Sequence, residues 1–476
     1  MTPRTGLRNC NTAEPRFSQA LVGTLSPMNI GLRRLLIGLV LMTGAGASEQ
    51  RAVTEARWWK GNLHTHTLWS DGDGFPEMVV EWYRNAGYHF LALSDHNVLS
   101  QGQRWMTLAA VTAKAKGEPW RGAAHVPRDA YAEYLKRFGP NWVETRPGRE
   151  AGSVEVRLKP FDEYRSLFDT AEKFLLVQSE EITHQAADKR SIHMNATNLI
   201  ELIKPRDGAT VRDVMNAHLT AVEESATRTG REIMVHVNHP NYKWGVTAED
   251  LAAVVREQFF EVWNGVDNDN DPGDAHHPST DEIWDIASTL RLVGMKAPPL
   301  YALATDDSHD YQGNKTRSPS GRAWVMVRAH HLTPESLIRA MRAGDFYATS
   351  GVTLDNVRFD EKARRLSLTI RAEGAETFVT RFVGTRQGVR IDGQPRRDAQ
   401  GKVVETTLDY RADSGPQIGE VLAEVKGLTP SFILKGDELY VRAIVTSSGT
   451  PAVPSVEGEF KRAWTQPVGW SVPEVR

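Results

Sequence analysis

Two histidines and an aspartate lie close together in the stretch NLHTHTLWSDGDG. His64 and His66 are separated by one residue, and Asp71 follows five residues after His66. Because residues i and i+2 of a strand face the same side, two imidazoles with this spacing can point at one position. Imidazole and carboxylate groups together suit zinc, manganese or iron. An HxH pair alone is weak evidence for a metal site, since chance supplies the pattern often.

Further residues of ligand type recur close after short apolar runs. The runs span 88–93, 174–177, 233–237, 259–263 and 300–304, and the polar residues after them include SDHN, EEIT, NHP, NG and TDDSH. Such runs are typical of buried strands, and α/β barrels carry their active sites at the C-terminal strand ends. A core strand can also end in polar residues because it reaches water. Five endings rich in His, Asp and Glu argue against that explanation alone.

The stretches between these runs predict helices that would hold the strands in place. Apolar residues within 211–222 share one helical face. Thr247 and Asp250 form the pattern of a capping box. A further helix is expected to begin at Pro334 and to end at Gly344. Alternating strands and helices predict an α/β fold with a parallel sheet or barrel.

The pattern of apolar and polar residues changes along the chain. Residues 55–352 carry the strand-and-helix pattern, with a polar insertion at 120–156 that we expect to be irregular. From 353 to 476, period-two alternation at 365–370 and 439–445 predicts a small antiparallel, sandwich-like all-β domain. All 15 histidines lie in the first of these regions, so we expect the chemistry to be there.

Composition limits the classes of function. The chain has 476 residues, of which 40% are hydrophobic and 25% charged, as expected of a globular protein with two or three domains. A net charge of −3 gives no bulk electrostatic case for binding nucleic acid.

Residues 1–47 have the pattern of a leader with a secretory signal peptide. Arg33 and Arg34 precede an apolar run that ends before Ala45-Gly46-Ala47, a small-residue cleavage motif. The true start is expected at Met28. The protein is then exported, periplasmic or secreted, with no membrane span in its mature form, because the apolar run is short for a span. An uncleaved N-terminal anchor is the alternative.

The ordered motifs HTHTLWSDG, LALSDHN, EEIT, SIHMN, VNHP and TDDSH resemble those of the polymerase-and-histidinol-phosphatase (PHP) superfamily. The resemblance covers about residues 58–352. It implies a distorted (β/α)7 barrel that binds up to three divalent metals at its C-terminal face and hydrolyses, in most relatives, phosphate esters. A small all-β domain would follow this barrel.

The resemblance also implies the ligands, matched residue by residue. They are His64, His66, Asp71, His96, Glu181, His193, His239, Asp307 and His309. One metal would be held by His64, His66, Glu181 and Asp307; a second by Glu181, His193 and His239; a third by Asp71, His96 and His309. The last three residues are the predicted catalytic group.

Other residues are expected to support the ligands or to touch substrate. Asp95, Asp306 and Glu180 would lie behind the ligands, with Glu180 the fallback for Glu181. Asn264, His184 and Arg190 are predicted substrate-binding residues, and Lys243, Arg317 and Arg322 are further candidates for binding phosphate. His236 is expected to be a core or supporting histidine, and Asp73 a solvent-facing loop carboxylate.

These features favour a phosphoesterase that uses two or three divalent ions (Mn, Zn or Fe) and a metal-bridging hydroxide to attack a small-molecule ester. Hydrolysis of a carbamate or carboxyl ester is an alternative, because some exported PHP-like proteins that resemble aryl-carbamate (carbaryl) hydrolases share the GNLHTHT opening and the strand end Trp263-Asn264-Gly265. A non-catalytic binding protein with a structural metal is another. Structural zinc sites are closed and four-coordinate, so nine candidate ligands argue against it. No feature identifies a partner protein.

Overall fold

The structure is a computed structural model, and it describes residues 55–116, 129–267, 269–311 and 318–472. The predicted leader, its signal peptide and the start at Met28 lie outside these residues, as does Arg317. Among the described residues, no helix is both long and apolar enough to cross a membrane.

Nineteen strands occur in the described parts of the chain. In order they are β1 (Arg57–Asn62), β2 (Phe90–Leu93), β3 (Arg104–Thr107), β4 (Thr145–Pro147), β5 (Val154–Leu158), β6 (Leu175–Gln185), β7 (Ser191–Thr197), β8 (Met234–Val237), β9 (Phe259–Asn264), β10 (Tyr301–Thr305), β11 (Trp324–Ala329), β12 (Phe346–Thr349), β13 (Leu354–Asp360), β14 (Arg365–Ile370), β15 (Phe378–Arg386), β16 (Glu420–Lys426), β17 (Ser431–Ile433), β18 (Glu438–Ser447) and β19 (Arg462–Thr465).

Eight α-helices accompany the strands in the described parts. They are α1 (Pro76–Asn85), α2 (Leu108–Lys116), α3 (Ala130–Phe138), α4 (Phe161–Phe168), α5 (Val211–Thr229), α6 (Ala248–Ala253), α7 (Thr280–Thr289) and α8 (Pro334–Arg342). A 3-10 turn spans Tyr242–Trp244, and a π-helical segment, Leu290–Met295, continues α7.

The helices form for the reasons that the sequence indicates. The apolar face of α5 is buried, and Thr210 and Asp213 cap its start reciprocally. Thr247 and Asp250 do the same for α6, so the predicted capping box is confirmed. Helix α8 begins at Pro334 and ends at Arg342, two residues before Gly344, as expected.

The architecture is mixed α/β, which confirms the predicted class. One 13-stranded sheet has the order β10-β9-β8-β7-β6-β2-β1-β11-β12-β19-β18-β15-β16. Strands β1, β2 and β6 are parallel to one another, and so are β8, β9 and β10. Strand β7 is antiparallel to both β6 and β8. The expectation of a parallel sheet was therefore wrong at β7, because β6 and β7 are joined by a short turn with no helix between them.

The sheet also brings its first and last parallel strands together. A parallel bridge joins Thr65, after β1, to Ser308, after β10. This contact places the two chain segments that follow these strands side by side. The seven-stranded barrel stays a prediction, since the hydrogen-bonded strands form one open order.

The C-terminal region contains only strands among its described regular elements. Strands β13, β14 and β17 form a separate three-stranded sheet, while β19, β18, β15 and β16 extend the main sheet beyond β12. The described residues, from 55 onward, belong to one compact unit, and the domain boundary at 352–353 stays a prediction.

The insertion is more regular than expected. Strands β3, β5 and β4 form a small antiparallel sheet beside α2 and α3. The prediction of irregular structure over 120–156 was wrong for its described residues. Tyr134 and Val156 are buried in a cluster with Phe75, which is remote in sequence. This tertiary burial stabilises short elements that local sequence patterns do not indicate.

Candidate metal centre

The nine predicted ligands lie at neighbouring strand ends. His64 and His66 follow β1, His96 follows β2, and His239 follows β8. Glu181 and His193 lie within β6 and β7, while Asp307 and His309 follow β10. Every one of the nine belongs to at least one group of three or four residues whose potential ligand atoms lie within 4.8 Å of one another. The fold therefore brings the whole predicted set together.

Glu181 is the centre of this set. Its Oε2 lies 2.8 Å from His96 Nδ1 and 3.4 Å from both His64 Nε2 and His66 Nε2, and its Oε1 lies 2.9 Å from His193 Nδ1 and 3.4 Å from His239 Nε2. Glu180 faces the other side of β6, where it accepts a hydrogen bond from Ile203 N. The alternation of a strand thus separates the two glutamates, and only Glu181 enters the cluster.

Four buried polar atoms meet without a hydrogen-bond partner among the described residues: His64 Nε2, His66 Nε2, Glu181 Oε2 and Asp307 Oδ1. Asp307 Oδ1 lies 3.1 Å from His64 Nε2 and 2.9 Å from His66 Nε2. Ligand atoms at about 2.0–2.2 Å from an ion are separated by roughly 3.3–3.6 Å in tetrahedral geometry and by roughly 2.8–3.1 Å in octahedral geometry. Leaving such groups unpaired in the interior costs about 1–3 kcal/mol each. Both the spacing and the donor types fit a divalent cation.

A second group lies at the solvent side of the cluster. Asp71 Oδ1 is 3.3 Å from His309 Nε2, and Asp71 Oδ2 is 3.6 Å from His96 Nε2. The rings of His66 and His309 stack with centroids 4.1 Å apart. The Asp71 side chain is 45% exposed, in contrast to the buried Glu181 and Asp307. Any substrate would therefore reach the cluster from the Asp71 side.

The cluster keeps its carboxylates ionised. Burial alone would raise the pKa of Glu181, Asp307 and Asp71, but the surrounding histidines hold all three pKa values below their usual range. Burial works to lower the pKa of His64, but the nearby carboxylates of Asp307, Glu261 and Glu181 outweigh it and raise that pKa above its usual value. Burial and the neighbouring histidines lower the pKa of His66. Three ionised carboxylates thus lie among the histidines where a cation would be held.

The loop after β1 is held by buried contacts. Gly72 lies so close to His66 that an added Cβ would be 2.7 Å from the His66 carbonyl carbon, so a side chain there would displace the loop. Asp95 accepts hydrogen bonds from Thr67 N at 2.8 Å and from Ser70 Oγ at 2.5 Å. Asp95 therefore supports this loop. His96 has a different partner, because its Nδ1 lies 2.5 Å from Thr183 Oγ1.

Asp73 corrects one expectation. Its side chain is buried, and its Oδ1 accepts a hydrogen bond of 2.7 Å from Tyr311 N. The segment after β10 lies over the loop, as the hydrogen bond from Asp73 N to the His309 carbonyl also shows. The prediction of a solvent-facing carboxylate was wrong because this contact joins parts of the chain that are remote in sequence.

Two ligands have an uncommon backbone conformation. His239 has φ of +25° and Asp307 has φ of +47°, both in the left-handed region that non-glycine residues rarely adopt. Such strain persists only where surrounding contacts impose it, and it concentrates at functional sites. In this molecule it aims two side chains into one cluster directly after strands β8 and β10.

Two of the predicted supporting and substrate-binding residues lie beside the ligands. Asp306 accepts four hydrogen bonds, and this connects the end of β10 to β11; the donors are Tyr83 Oη, Gly321 N, Arg322 N and Ala323 N. Asn264, a predicted substrate-binding residue, is buried and donates to Glu261 Oε2 at 2.8 Å and Asp307 Oδ2 at 3.3 Å.

The other predicted substrate-binding residues have protein partners. His184 Nε2 lies 3.1 Å from Asp207 Oδ1. Arg190 donates to Asp250 Oδ2 at 2.6 Å and to Asp188 Oδ2 at 3.1 Å. Their roles in substrate binding stay predictions. Arg322 is buried and donates to Asp267 Oδ1 at 2.6 Å, while Lys243 is exposed.

Sequence reasoning missed three buried acids near the cluster. Glu261 lies on β9 and contacts His64, and Asp269 and Asp271 follow in the loop after this strand. Burial raises the pKa of Asp269 to about 8. The signal for Glu261 was present in the sequence FFEVW, where one carboxylate interrupts an apolar run. His236, buried with its Nε2 3.4 Å from Glu261 Oε1, is the core histidine that was expected.

Comparisons with known proteins give little further information. No family model matches the chain, and no curated protein matches it. One similar solved structure is a two-domain protein from Bacteroides vulgatus that contains a predicted PHP-like metal-dependent phosphoesterase. It is 13% identical, and the match covers 86% of this chain and 95% of that chain, with a TM-score of 0.34. Another, described as a candidate metal-dependent phosphoesterase from Bifidobacterium adolescentis, is 13% identical over 55% of this chain and 92% of that chain, with a TM-score of 0.25. Neither similarity decides the activity of this chain.

Proposed function

We propose that this chain is a metal-dependent hydrolase of the PHP type, and that its substrates are phosphate esters. The observation that carries the proposal is the convergence of four buried, unpaired polar atoms on His64, His66, Glu181 and Asp307. Their types and separations are those of a divalent-metal site. The resemblance of the sequence motifs to the PHP superfamily supports the same reading.

The candidate ligands would have different roles in the reaction. Glu181 contacts candidate ligands on both sides of the cluster and would help to hold more than one ion, while Asp71, His96 and His309 lie at the exposed side. When bound, divalent ions in such a site would lower the pKa of water and polarise the scissile bond. Asp71 lies where substrate would enter, and with His96 Nε2 and His309 Nε2 it would hold an ion that stabilises the leaving oxygen.

The surrounding architecture is part of the proposal. We propose that β1, β2 and β6 to β10 close as the distorted seven-stranded barrel that the family resemblance implies, supported by the bridge between Thr65 and Ser308. The region from 353 would be an accessory β-domain. Export of the protein, through the leader at 1–47, and the use of two or three ions of Mn, Zn or Fe belong to the same proposal.

Hydrolysis of a carbamate or carboxyl ester is the second candidate. The observation that favours it is that Arg190 and Arg322 already form ion pairs with carboxylates, so neither charge is open to a phosphate. One cation does lie near the entrance: Lys114 on α2 donates to the carbonyl of Ser70, next to Asp71. A phosphate could accept from this ammonium group, and a neutral carbamate would not need it.

A substrate screen on the purified protein, loaded separately with manganese, zinc and iron, tests the proposal. It should compare phosphate monoesters and diesters with aryl carbamates and carboxyl esters. Turnover of a phosphate ester that is weakened in Lys114→Ala supports the phosphoesterase. Turnover of only carbamates or carboxyl esters, unaffected by that change, supports the second candidate. Metal binding with no turnover of any substrate would indicate a binding protein.

A further inference from the structure

Glu261 lies at the inner side of the histidine cluster and is fully buried on β9. Its Oε1 accepts hydrogen bonds from His64 Nδ1 at 2.9 Å and from Thr305 Oγ1 at 2.8 Å. Its Oε2 accepts from His239 N at 2.9 Å and from Asn264 Nδ2 at 2.8 Å. Two of these donors belong to predicted metal ligands, so one carboxylate contacts both.

We propose that Glu261 is a positioning residue that holds the proton of His64 on Nδ1 and so presents the unprotonated Nε2 to a metal ion. A carboxylate can only accept hydrogen bonds, so the nitrogen that faces it must carry a proton. In a neutral imidazole the other nitrogen then has a free lone pair. That nitrogen is His64 Nε2, which lies 3.1 Å from Asp307 Oδ1 and 3.4 Å from Glu181 Oε2. The inference rests on the proposed metal-dependent function.

Glu261 supports the second ligand through the backbone. The His239 N–H is held by Oε2 at a residue whose φ is +25°. This hydrogen bond contributes to holding a conformation that is unfavourable for a non-glycine residue. Asn264 connects the same Oε2 to Asp307 through its amide group. The carboxylate therefore links the chain segments after β1, β8 and β10.

Glu261 is not placed to be a ligand itself. Its distances to His64 and His236 would allow a three-residue metal group. However, each carboxylate oxygen already accepts two hydrogen bonds, and together these use about four lone-pair directions. A metal ion here would also have to displace the Nδ1 proton of His64. The contacts fit a group that orients a ligand from behind, as is usual for metal-binding histidines.

Glu261→Gln is the sharpest variant. The amide oxygen can still accept from His239 N and Asn264 Nδ2, but the NH2 group then faces His64 Nδ1. That nitrogen must become the acceptor, which moves the proton to Nε2 and blocks metal binding there. We expect the affinity of the variant for Mn2+ or Zn2+ to fall by about 10–100-fold, as is typical when such a supporting group is removed.

Glu257→Gln is the matched control. Glu257 is also fully buried, lies two residues before β9 at the opposite strand end, and accepts hydrogen bonds from Gln258 N and Phe259 N. The same chemical change there should leave metal affinity within twofold of the wild type. Thermal unfolding of both metal-free variants separates a loss of fold from a loss of binding.

The experiment is a calorimetric titration of metal-free full-length protein with Mn2+ and Zn2+, in the wild type, Glu261→Gln, Glu257→Gln, His64→Ala and the double variant His64→Ala/Glu261→Gln. If Glu261 acts through His64, its substitution adds less than a twofold loss in the His64→Ala background. A purely structural role would give the same loss in both backgrounds and would overturn the inference, as would wild-type affinity in Glu261→Gln.

Nitrogen NMR of the metal-loaded wild type tests the inference without any variant, should Glu261→Gln fail to fold. We expect the His64 proton on Nδ1, and a proton on Nε2 would overturn the inference. A wild type that binds no metal would contradict the proposed function and this inference together. A wild type that binds metal with no dependence on Glu261 would contradict the inference alone.

Discussion

The molecule buries charge in two different ways. In the Arg442 cluster, which consists of Arg442, Tyr440, Asp281 and Asp285, the charges satisfy one another. Arg442 donates to both oxygens of Asp285, at 2.9 and 2.7 Å, and Tyr440 Oη donates to Asp285 Oδ1 at 2.7 Å. In the histidine cluster, which consists of the nine predicted ligands, ring nitrogens and carboxylate oxygens meet instead.

The difference shows how a structural cluster can be distinguished from a binding site. Arg442 joins β18 to α7; Asp281 Oδ1 lies 3.0 Å from its Nη1 without a hydrogen bond, and a cation of the protein itself faces both carboxylates. In the histidine cluster, Asp307 Oδ1 lies 3.1 Å from His64 Nε2 and 2.9 Å from His66 Nε2, and none of the three atoms has a hydrogen-bond partner among the described residues. The first arrangement needs no ligand. The second fits a bound cation.

The largest expected effect on stability comes from breaking the Arg442 cluster. Arg442→Met leaves Asp285 buried and without its countercharge, so we expect the free energy of unfolding to fall by about 3–5 kcal/mol. Urea denaturation measures this change. Metal affinity should stay at the wild-type value, because the two clusters share no residue.

The matched control is Arg371→Met. Arg371 forms an ion pair with Asp355, but its side chain is 61% exposed, so we expect a change within about 1 kcal/mol. A loss in Arg442→Met no larger than in this control would contradict the contrast between the two kinds of charge.

Asp307→Ala should have the opposite effect to Arg442→Met, because it should lower metal affinity rather than the free energy of unfolding. The change removes the oxygen that lies 3.1 and 2.9 Å from the His64 and His66 Nε2 atoms. We expect metal affinity to fall by about 100-fold or more, since loss of a supporting group alone costs about 10–100-fold. Hydrolysis should be lost with it, and Asp71→Ala and His239→Ala should behave alike. Metal content by mass spectrometry and turnover measure these effects. Asp360→Ala is the control, because Asp360 is an acid on β13 outside the cluster. Full activity in Asp307→Ala would contradict the assignment of Asp307 as a metal ligand.

Removing metal should affect stability through the histidine cluster alone. Free metal at ten times its Kd stabilises a protein by about 1.4 kcal/mol when it binds only the folded state. We therefore expect chelation to lower the melting temperature of the wild type and of Arg442→Met by similar amounts. It should have almost no effect on Asp307→Ala. Differential scanning calorimetry measures the three shifts, and an equal shift in Asp307→Ala would place the metal elsewhere.

The smallest effect expected is on the pH dependence of stability. Burial raises the pKa of Glu257 from 4.5 to about 8. Because the folded-state pKa is the higher one, the stabilisation is complete below pH 4.5 and is lost as the pH rises through about 8. Glu257→Gln cannot ionise, so between roughly pH 7 and 8 its stability should fall less than that of the wild type, by about 1 kcal/mol. Parallel curves from urea denaturation would show that Glu257 is not protonated in the fold.

The nine predicted ligands could be named because the order of their motifs resembles that of the PHP superfamily, and the structure brings all nine together. Their role as ligands stays a prediction. Strand direction could not be predicted at β7, because apolar runs do not specify which way a strand is traversed. The hairpin joining β6 to β7 is determined by pairing with neighbours.

Burial of single polar residues was the other point that local patterns did not reveal. Asp73 is covered by Tyr311, more than two hundred residues later, and Glu261 was interpreted as part of an apolar strand. Both contacts depend on tertiary structure. An isolated carboxylate inside an apolar run is nevertheless a usable signal, because burying it without partners is costly.

The central claim is that the histidine cluster holds divalent ions. The most direct test is a crystal structure of the protein grown with Mn2+ or Zn2+, with anomalous scattering measured at the edge of the metal. We expect two or three anomalous peaks, one of them within about 2.0–2.3 Å of His64 Nε2, His66 Nε2 and Asp307 Oδ1. Saturating metal with no peak among these residues would contradict the account.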